Sequence, residues 1–251
     1  MRQRKVAVIT GGSKGIGART AVDLAAAGND VAICYHADDA AAAETAEAVD
    51  ASGTPSARCI TIRCDVADPS QVDTLFERVE QQLGPAQILV CCAGVLRDRL
   101  LVEMTDADWH ACLSVNLSGV FHCIRRAARP MIQARWGRII VAGSAGATAA
   151  VPGQANYAAS KSGLVGLVRA AAAELGTHGA TCNLITPGPV DTEIIAHLTE
   201  RQRARLADST LLRRFGSPGE VAALITFLAS EAASYVTGTT IGVDAGLSAR
   251  T

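Results

Sequence analysis

The chain has 251 residues, 49% of them hydrophobic and 19% charged, which excludes a disordered chain and supplies a core that needs neither disulfides nor metal. Lys and Arg total 23 against 24 Asp and Glu, a formal net charge of −1, so the basic footprint of a dedicated nucleic-acid binder is missing. Aromatics make up only 4%, so the core is expected to be aliphatic.

Short apolar runs alternate with longer helical patterns along the chain. The first predicted strand, Val6–Thr10, runs into Gly11-Gly12-Ser13-Lys14-Gly15-Ile16-Gly17 and a helical stretch over Ile16–Ala27. Next come a strand over Asp30–Tyr35, a helix over Asp39–Ala51, a strand over Cys59–Cys64 and a helix over Gln71–Leu83. The strand Ile88–Cys91 precedes one long helical pattern, Asp106–Ala134. The second half reads as strand Gly137–Ala142, helix Ala155–Leu175, strand Thr181–Ile185, helices Glu193–Ala207 and Pro218–Leu228, and strand Thr240–Val243. Most of the strands are continuously apolar, as expected when both faces are covered. Repeated strand–helix–strand order predicts an α/β fold: a Rossmann-type, doubly wound parallel sheet of about seven strands with helices on both faces.

No linker or repeat divides the sequence, so one domain over residues 1–251 is expected. The polar, partly helical segment Pro187–Ser217 reads as a flap over a site, at about 188–216. No apolar stretch approaches the roughly 20 residues that cross a bilayer. The run Val6–Ile9, after the basic Met1-Arg2-Gln3-Arg4-Lys5, is too short for a signal peptide. The eight cysteines show no CxxC and no zinc spacing, so reduced thiols, no metal site and a cytoplasmic location are expected. Neither a membrane nor a nucleic-acid partner is expected.

Gly11, Gly15 and Gly17 permit a sharp strand-to-helix turn, and the first N–H groups of the helix, with Ser13 and Ile16 beside them, then face a pyrophosphate. In this class of site a carboxylate at the end of the second strand holds the ribose 2′-hydroxyl of NAD. Here that strand ends Cys34-Tyr35-His36 with no carboxylate until Asp38, and Lys14 adds a positive charge nearby. NADP(H) is therefore favoured, and NAD(H) stays open as the alternative.

Tyr157 and Lys161 stand at i and i+4, on one face of the helix that opens at Ala155. A nearby cation favours a phenolate and lowers the phenol pKa from near ~10 by about 1–3 units, which suits Tyr157 to general acid–base work. Ser144 follows the strand Gly137–Ala142, where ligands sit in doubly wound sheets, and its hydroxyl suits a substrate carbonyl. Asn116 lies inside the long helical pattern and needs partners if buried.

Together these residues resemble a short-chain dehydrogenase/reductase. The resemblance covers essentially the whole chain and rests on Thr10-Gly11-x-x-x-Gly15-x-Gly17, Asp65-Val66, Asn116, Ser144, Tyr157-x-x-x-Lys161 and Pro187-Gly188-x-x-x-Thr192. Stretches such as Pro152–Lys161 and Gly94–Asp98 are similar to the 3-oxoacyl-carrier-protein reductases of that family. The resemblance implies that Tyr157 protonates a carbonyl, Lys161 holds the nicotinamide ribose, Ser144 orients the carbonyl and Asn116 anchors a water chain. It implies adenine contacts from Asp65 and Val66, and a nicotinamide site lined by Pro187, Gly188, Val190 and Thr192. Cys92, Ala93 and Gly94 would approach the adenosine ribose. The family's usual Asn-Asn-Ala-Gly reads Cys91-Cys92-Ala93-Gly94 here, so two amides are lost and a locally altered loop is expected. It further implies a homotetramer. Small residues at Ala159, Gly163, Gly166 and Ala170 fit close packing of the Tyr157 helix.

The segments Val95–Met104, Ala145–Val151 and Pro189–Phe215 are aliphatic or small near the expected site, which favours an acyl substrate. Arg125, Arg126, Arg129, Arg135 and Arg138 read either as a patch for an acyl carrier protein or as ordinary solvated charge. The expected activity is NADPH-dependent reduction of a 3-oxoacyl thioester or polyketide-like ketone. A secondary-alcohol dehydrogenase acting on another substrate and a non-catalytic dinucleotide sensor are the alternatives.

Overall fold

The computed structural model describes residues 4–52, 57–147, 151–196 and 198–250. The start at Met1–Gln3 and positions 148–150 of the expected substrate segment lie outside the described residues. One parallel sheet runs β3-β2-β1-β4-β5-β6-β7. Its strands are β1 Val6–Thr10, β2 Asp30–Tyr35, β3 Cys59–Arg63, β4 Ala86–Cys91, β5 Gly137–Ala142, β6 Ala180–Pro187 and β7 Thr240–Val243. The helices are α1 Gly15–Ala26, α2 Asp39–Asp50, α3 Pro69–Gln82, α4 Asp106–Leu113, α5 Gly119–Ala134, α6 Ala155–Gly176, α7 Glu200–Ser209 and α8 Pro218–Leu228.

Successive strand residues point to opposite faces, and the core divides accordingly. Val6 and Val8 pack with Leu75, Ile124 and Leu164 from α3, α5 and α6. Ala7 and Ile9 pack with Leu24 and Ile225 from α1 and α8 on the other face. Every residue of β1 is buried, which explains why its sequence does not alternate. The strand order reverses between β1 and β4, so their carboxyl ends flank a crevice, the usual place for a ligand in such sheets.

Two expected helices are interrupted. The pattern Asp106–Ala134 is α4 and α5 joined by a π turn at Ser114–Ser118, in which the Gly119 N–H reaches back to the Ser114 carbonyl. That extra residue rotates Asn116 into the interior, a common use of π-bulges at functional sites. The pattern Glu193–Ala207 is one 3₁₀ turn, Glu193–Ile195, followed by α7. A capping box between Thr199 and Gln202 restarts the helix there. The start of α8 is fixed the same way, by Ser217 with Glu220 and by Pro218 in its first turn.

Candidate active site

The crevice over β1 and β4 has a volume of about 720 Å³, within the usual range for ligand pockets. Gly11, Ser13, Lys14, Gly15, Ile16 and Gly17 line one wall; Tyr35, His36, Asp65, Val66, Cys92, Ala93, Gly94 and Thr192 are among the residues that line the rest, with Asp38, Val95, Ala142 and Glu193. A Cβ on Gly17 would lie 2.2 Å from the Gly11 carbonyl oxygen, so this turn closes only on glycine. The start of α1 has no side-chain cap and no acidic residue in its first turn. Its leading N–H groups are left for an anion, and the residues present fit the pyrophosphate of a dinucleotide.

The Cys91–Gly94 loop keeps its place beside β1. Cys92 N–H donates to the Thr10 carbonyl (3.0 Å) and Ala93 N–H to the Thr10 hydroxyl (3.3 Å). These bonds tie the loop although Cys91-Cys92 replaces the expected amide pair. Burial pushes the Cys92 thiol up to about 12 and outweighs the opposing pull of Lys161, a neighbouring cation the sequence did not reveal.

At the far end of the crevice Lys14 is not a free positive charge. Its ammonium pairs with Asp38 and with Glu193, both at 2.7 Å. Asp38 also caps α2 by accepting from Ala41 N–H. The Tyr35 hydroxyl donates to Asp39 (2.8 Å), and the exposed His36 lies 4.0 Å from Asp65. Asp38 is visible in the sequence but its pairing with Lys14 is not, and Glu193, 179 residues from Lys14, is not visible as a neighbour at all.

The four expected chemical residues do not line this crevice; they lie beyond its other end, where Gly94, Val95 and Ala142 of its wall meet Asn116 and Lys161. Burial raises the Tyr157 pKa, and a hydrogen bond with the Ser144 side chain opposes that rise. Ser144 Oγ also accepts from Gly146 N–H at 3.1 Å, which orients the hydroxyl. Lys161 Nζ is buried, lies 5.9 Å from the Tyr157 ring centroid and donates to the Ala142 carbonyl at 2.8 Å. A Cβ on Gly94 would lie 3.7 Å from this ammonium, so Gly94 of the crevice wall borders the lysine. The expected lowering of the tyrosine by the lysine is corrected: burial dominates both groups, raising the phenol and pushing Lys161 down to about 8.

Asn116 is fully buried and its amide is consumed by the protein. Oδ1 accepts from Val95 N–H (2.8 Å), while Nδ2 donates to the Val95 carbonyl (3.0 Å), Ser160 Oγ (3.2 Å) and Cys112 Sγ (3.3 Å). The side chain therefore pins the loop after Gly94 onto the start of α6. Ser160 extends the network by donating to the Tyr157 carbonyl (2.8 Å). Sequence reasoning missed Val95, Ser160 and Cys112 because only the π turn brings them together.

Thr192 reaches the crevice, and its methyl packs against Gly15. Pro187, Gly188 and Val190 stand behind it: Val190 joins the core, and a Cβ on Gly188 would lie 2.7 Å from Asp244 Cα. The flap is rooted by a bridge between Val190 and Gly216, and α7 within it has no buried residue. The five arginines do not form one patch. Arg138 is buried and bound to Glu231 and the Gly137 carbonyl, and Arg126 pairs with Asp73.

A family model described as Enoyl-(Acyl carrier protein) reductase matches residues 11–248. The chain belongs to the short-chain dehydrogenase/reductase family. It is 37% identical over 247 residues to the 3-oxoacyl-[acyl-carrier-protein] reductase FabG of Staphylococcus aureus, covering 98% of this chain and 99% of that one. It is 38% identical over 240 residues to 3-oxoacyl-[acyl-carrier-protein] reductases MabA of Mycobacterium avium and Mycobacterium tuberculosis, covering 96% of this chain and 88% and 91% of theirs. Short-chain dehydrogenase/reductases are oxidoreductases that work with NAD(P), which agrees with a crevice that fits a dinucleotide. Among the described residues no helix is long and apolar enough to cross a membrane, and no cluster of His, Cys, Asp or Glu forms a metal site.

Proposed function

We propose that the protein is an NADPH-dependent ketoreductase that reduces the ketone of a 3-oxoacyl thioester, or a polyketide-like relative, to a secondary alcohol. The observation that carries this reading is the buried Lys161 ammonium, held on the Ala142 carbonyl at 2.8 Å and 5.9 Å from the Tyr157 ring centroid, at the end of the strand that leads to Ser144. Two hydroxyls at one point suit a carbonyl oxygen: Ser144 orients it and Tyr157 gives up its proton as charge develops there. Lys161 keeps a positive charge near that oxygen, and Asn116 holds the adjoining loop. A bound nicotinamide dinucleotide supplies the hydride. Gly11, Ser13, Gly15, Ile16 and Gly17 would hold its pyrophosphate, with Lys14, Tyr35 and His36 at the adenosine ribose and Asp65 and Val66 at adenine. Cys92–Gly94 would meet the ribose, and Pro187, Gly188, Val190 and Thr192 would back the nicotinamide.

Leu100, Leu101 and Val102 are exposed, as are Leu211 and Leu212 of the flap, which supports an acyl chain as substrate. The relatives' names support delivery of that chain on an acyl carrier protein. We read residues 1–251 as one domain with a flap at 188–216, acting in the cytoplasm as a homotetramer. Exposed Phe121 on α5, and exposed Phe227 and Tyr235 near the edge strand β7, support the assembly. Light scattering at the mass of a single chain would refute it.

The test is consumption of NADPH with acetoacetyl thioester, crotonyl thioester and a panel of ketones and sugars. Turnover of acetoacetyl thioester supports the proposal. Turnover of crotonyl thioester alone would favour enoyl reduction, the second reading suggested by the family model. Turnover of another carbonyl alone favours the alcohol-dehydrogenase alternative, and none at all favours a sensor.

A further inference from the structure

We propose that Glu193, at the root of the flap, is a cofactor-specificity residue that weakens binding of a 2′-phosphorylated dinucleotide by competing for Lys14. The inference rests on the reading of the crevice as a dinucleotide site. Lys14, Asp38 and Glu193 all line that crevice, alongside Tyr35 and His36. One ammonium is shared by two carboxylates at 2.7 Å each, so the trio carries a formal charge of −1. The contacts hold Lys14 more firmly protonated than an ordinary lysine and hold Asp38 below the usual carboxylate range.

A 2′-phosphate would be drawn to Lys14 and repelled by both acids. The two acids are not equivalent. Asp38 is fixed as the N-cap of α2 by its bond from Ala41 N–H, and this holds whether or not Lys14 stays. Glu193 is the first residue of a single 3₁₀ turn and is largely exposed. Beyond it lies α7, which buries no side chain in the body of the protein. The root of the flap is secured behind Glu193, by Asp191 N–H to the Gly216 carbonyl and Gly216 N–H to the Pro189 carbonyl, both 2.9 Å. Because α7 is itself tied to the root by Arg203 to Asp191 (2.8 Å), it is the exposed Glu193 side chain that turns away while the root stays closed. A phosphate that takes Lys14 displaces the Glu193 carboxylate, whereas a 2′-hydroxyl leaves the Lys14–Glu193 pair in place. Glu193 thus narrows the preference for NADP(H).

Glu193→Gln keeps the size of the side chain and removes its charge. Calorimetric dissociation constants for NADP+ and NAD+ are measured for the parent protein, Glu193→Gln and a control, Glu200→Gln, on α7. The expected result is NADP+ binding about threefold to fivefold tighter in Glu193→Gln, the scale of one exposed charge pair. NAD+ binding should stay within twofold, Glu200→Gln should match the parent, and the gain should shrink at high salt. An unchanged ratio of NADP+ to NAD+ affinity in Glu193→Gln would overturn the inference and leave the dinucleotide site intact. Failure of the parent to bind either dinucleotide would overturn the inference together with the proposed function.

Discussion

The Lys161 ammonium donates a hydrogen bond to the carbonyl of Ala142 at 2.8 Å, at the carboxyl end of β5, so the strand itself fixes the lysine beside the crevice. The same burial that fixes it makes the charge costly, and the group is pushed down to about 8 from the 10.5 of a free lysine.

Two consequences with definite sign follow for pH. In the dinucleotide-free protein the ammonium is lost as pH rises through about 8, while Tyr157, raised by burial, keeps its proton. The kcat/KM for NADPH, which reports the dinucleotide-free enzyme, is therefore expected to fall about tenfold for each pH unit above that point, and a profile level through pH 9 would contradict it. Between about 8 and 10.5 the unfolded chain binds more protons at this lysine than the folded one, so its contribution makes stability rise with pH in that window. Denaturant midpoints of the parent and of Lys161→Met, compared across it, isolate that contribution.

Asn116→Ala should destabilise the protein by releasing Val95, which lines the crevice. It strips the Val95 N–H of its partner and leaves the Val95 carbonyl only a long contact with Cys112 Sγ, while Ser160 Oγ keeps its bond to the Tyr157 carbonyl. Each buried polar group left unpaired costs about 1–3 kcal/mol. The expected loss lowers the thermal midpoint by roughly 5–10 °C. A midpoint within a degree of the parent would show that the amide does not pin the loop.

Cys91 and Cys92 should react poorly in the folded protein. Both thiols are raised by burial, Cys92 to about 12, so almost no thiolate exists near neutral pH. Alkylation at pH 8 followed by peptide mapping should leave the buried Cys91 unmodified until the protein is unfolded, and should modify Cys92, half-buried in the crevice wall, far more slowly than a free thiol. Modification at the rate of a free thiol would contradict the burial.

Much of this architecture was legible before any coordinates. The continuous apolar character of Val6–Thr10 and Gly137–Ala142 gave strands buried on both faces, and the spacing of Tyr157 and Lys161 gave their common helical face. The parts that could not be read depend on distant partners. Periodicity cannot distinguish a continuous helix from one widened at Ser114–Ser118, because the π turn shifts the pattern by only one residue. Charge counting at Lys14 pointed to an open cation, while the fold brings Asp38 and Glu193 onto it. Arg138 looked like surface charge, yet it enters β5 and is neutralised by Glu231 from beyond α8.

The rate of NADPH consumption with acetoacetyl thioester, measured for the parent and for Tyr157→Phe, reaches the chemistry directly. Loss of the phenolic proton should lower kcat by about 100-fold or more, the range for a positioned general acid, while the dissociation constant for the dinucleotide stays within a few-fold. Equal rates in the two proteins would mean that the proton comes from elsewhere and that Tyr157 and Ser144 do not form the reaction centre.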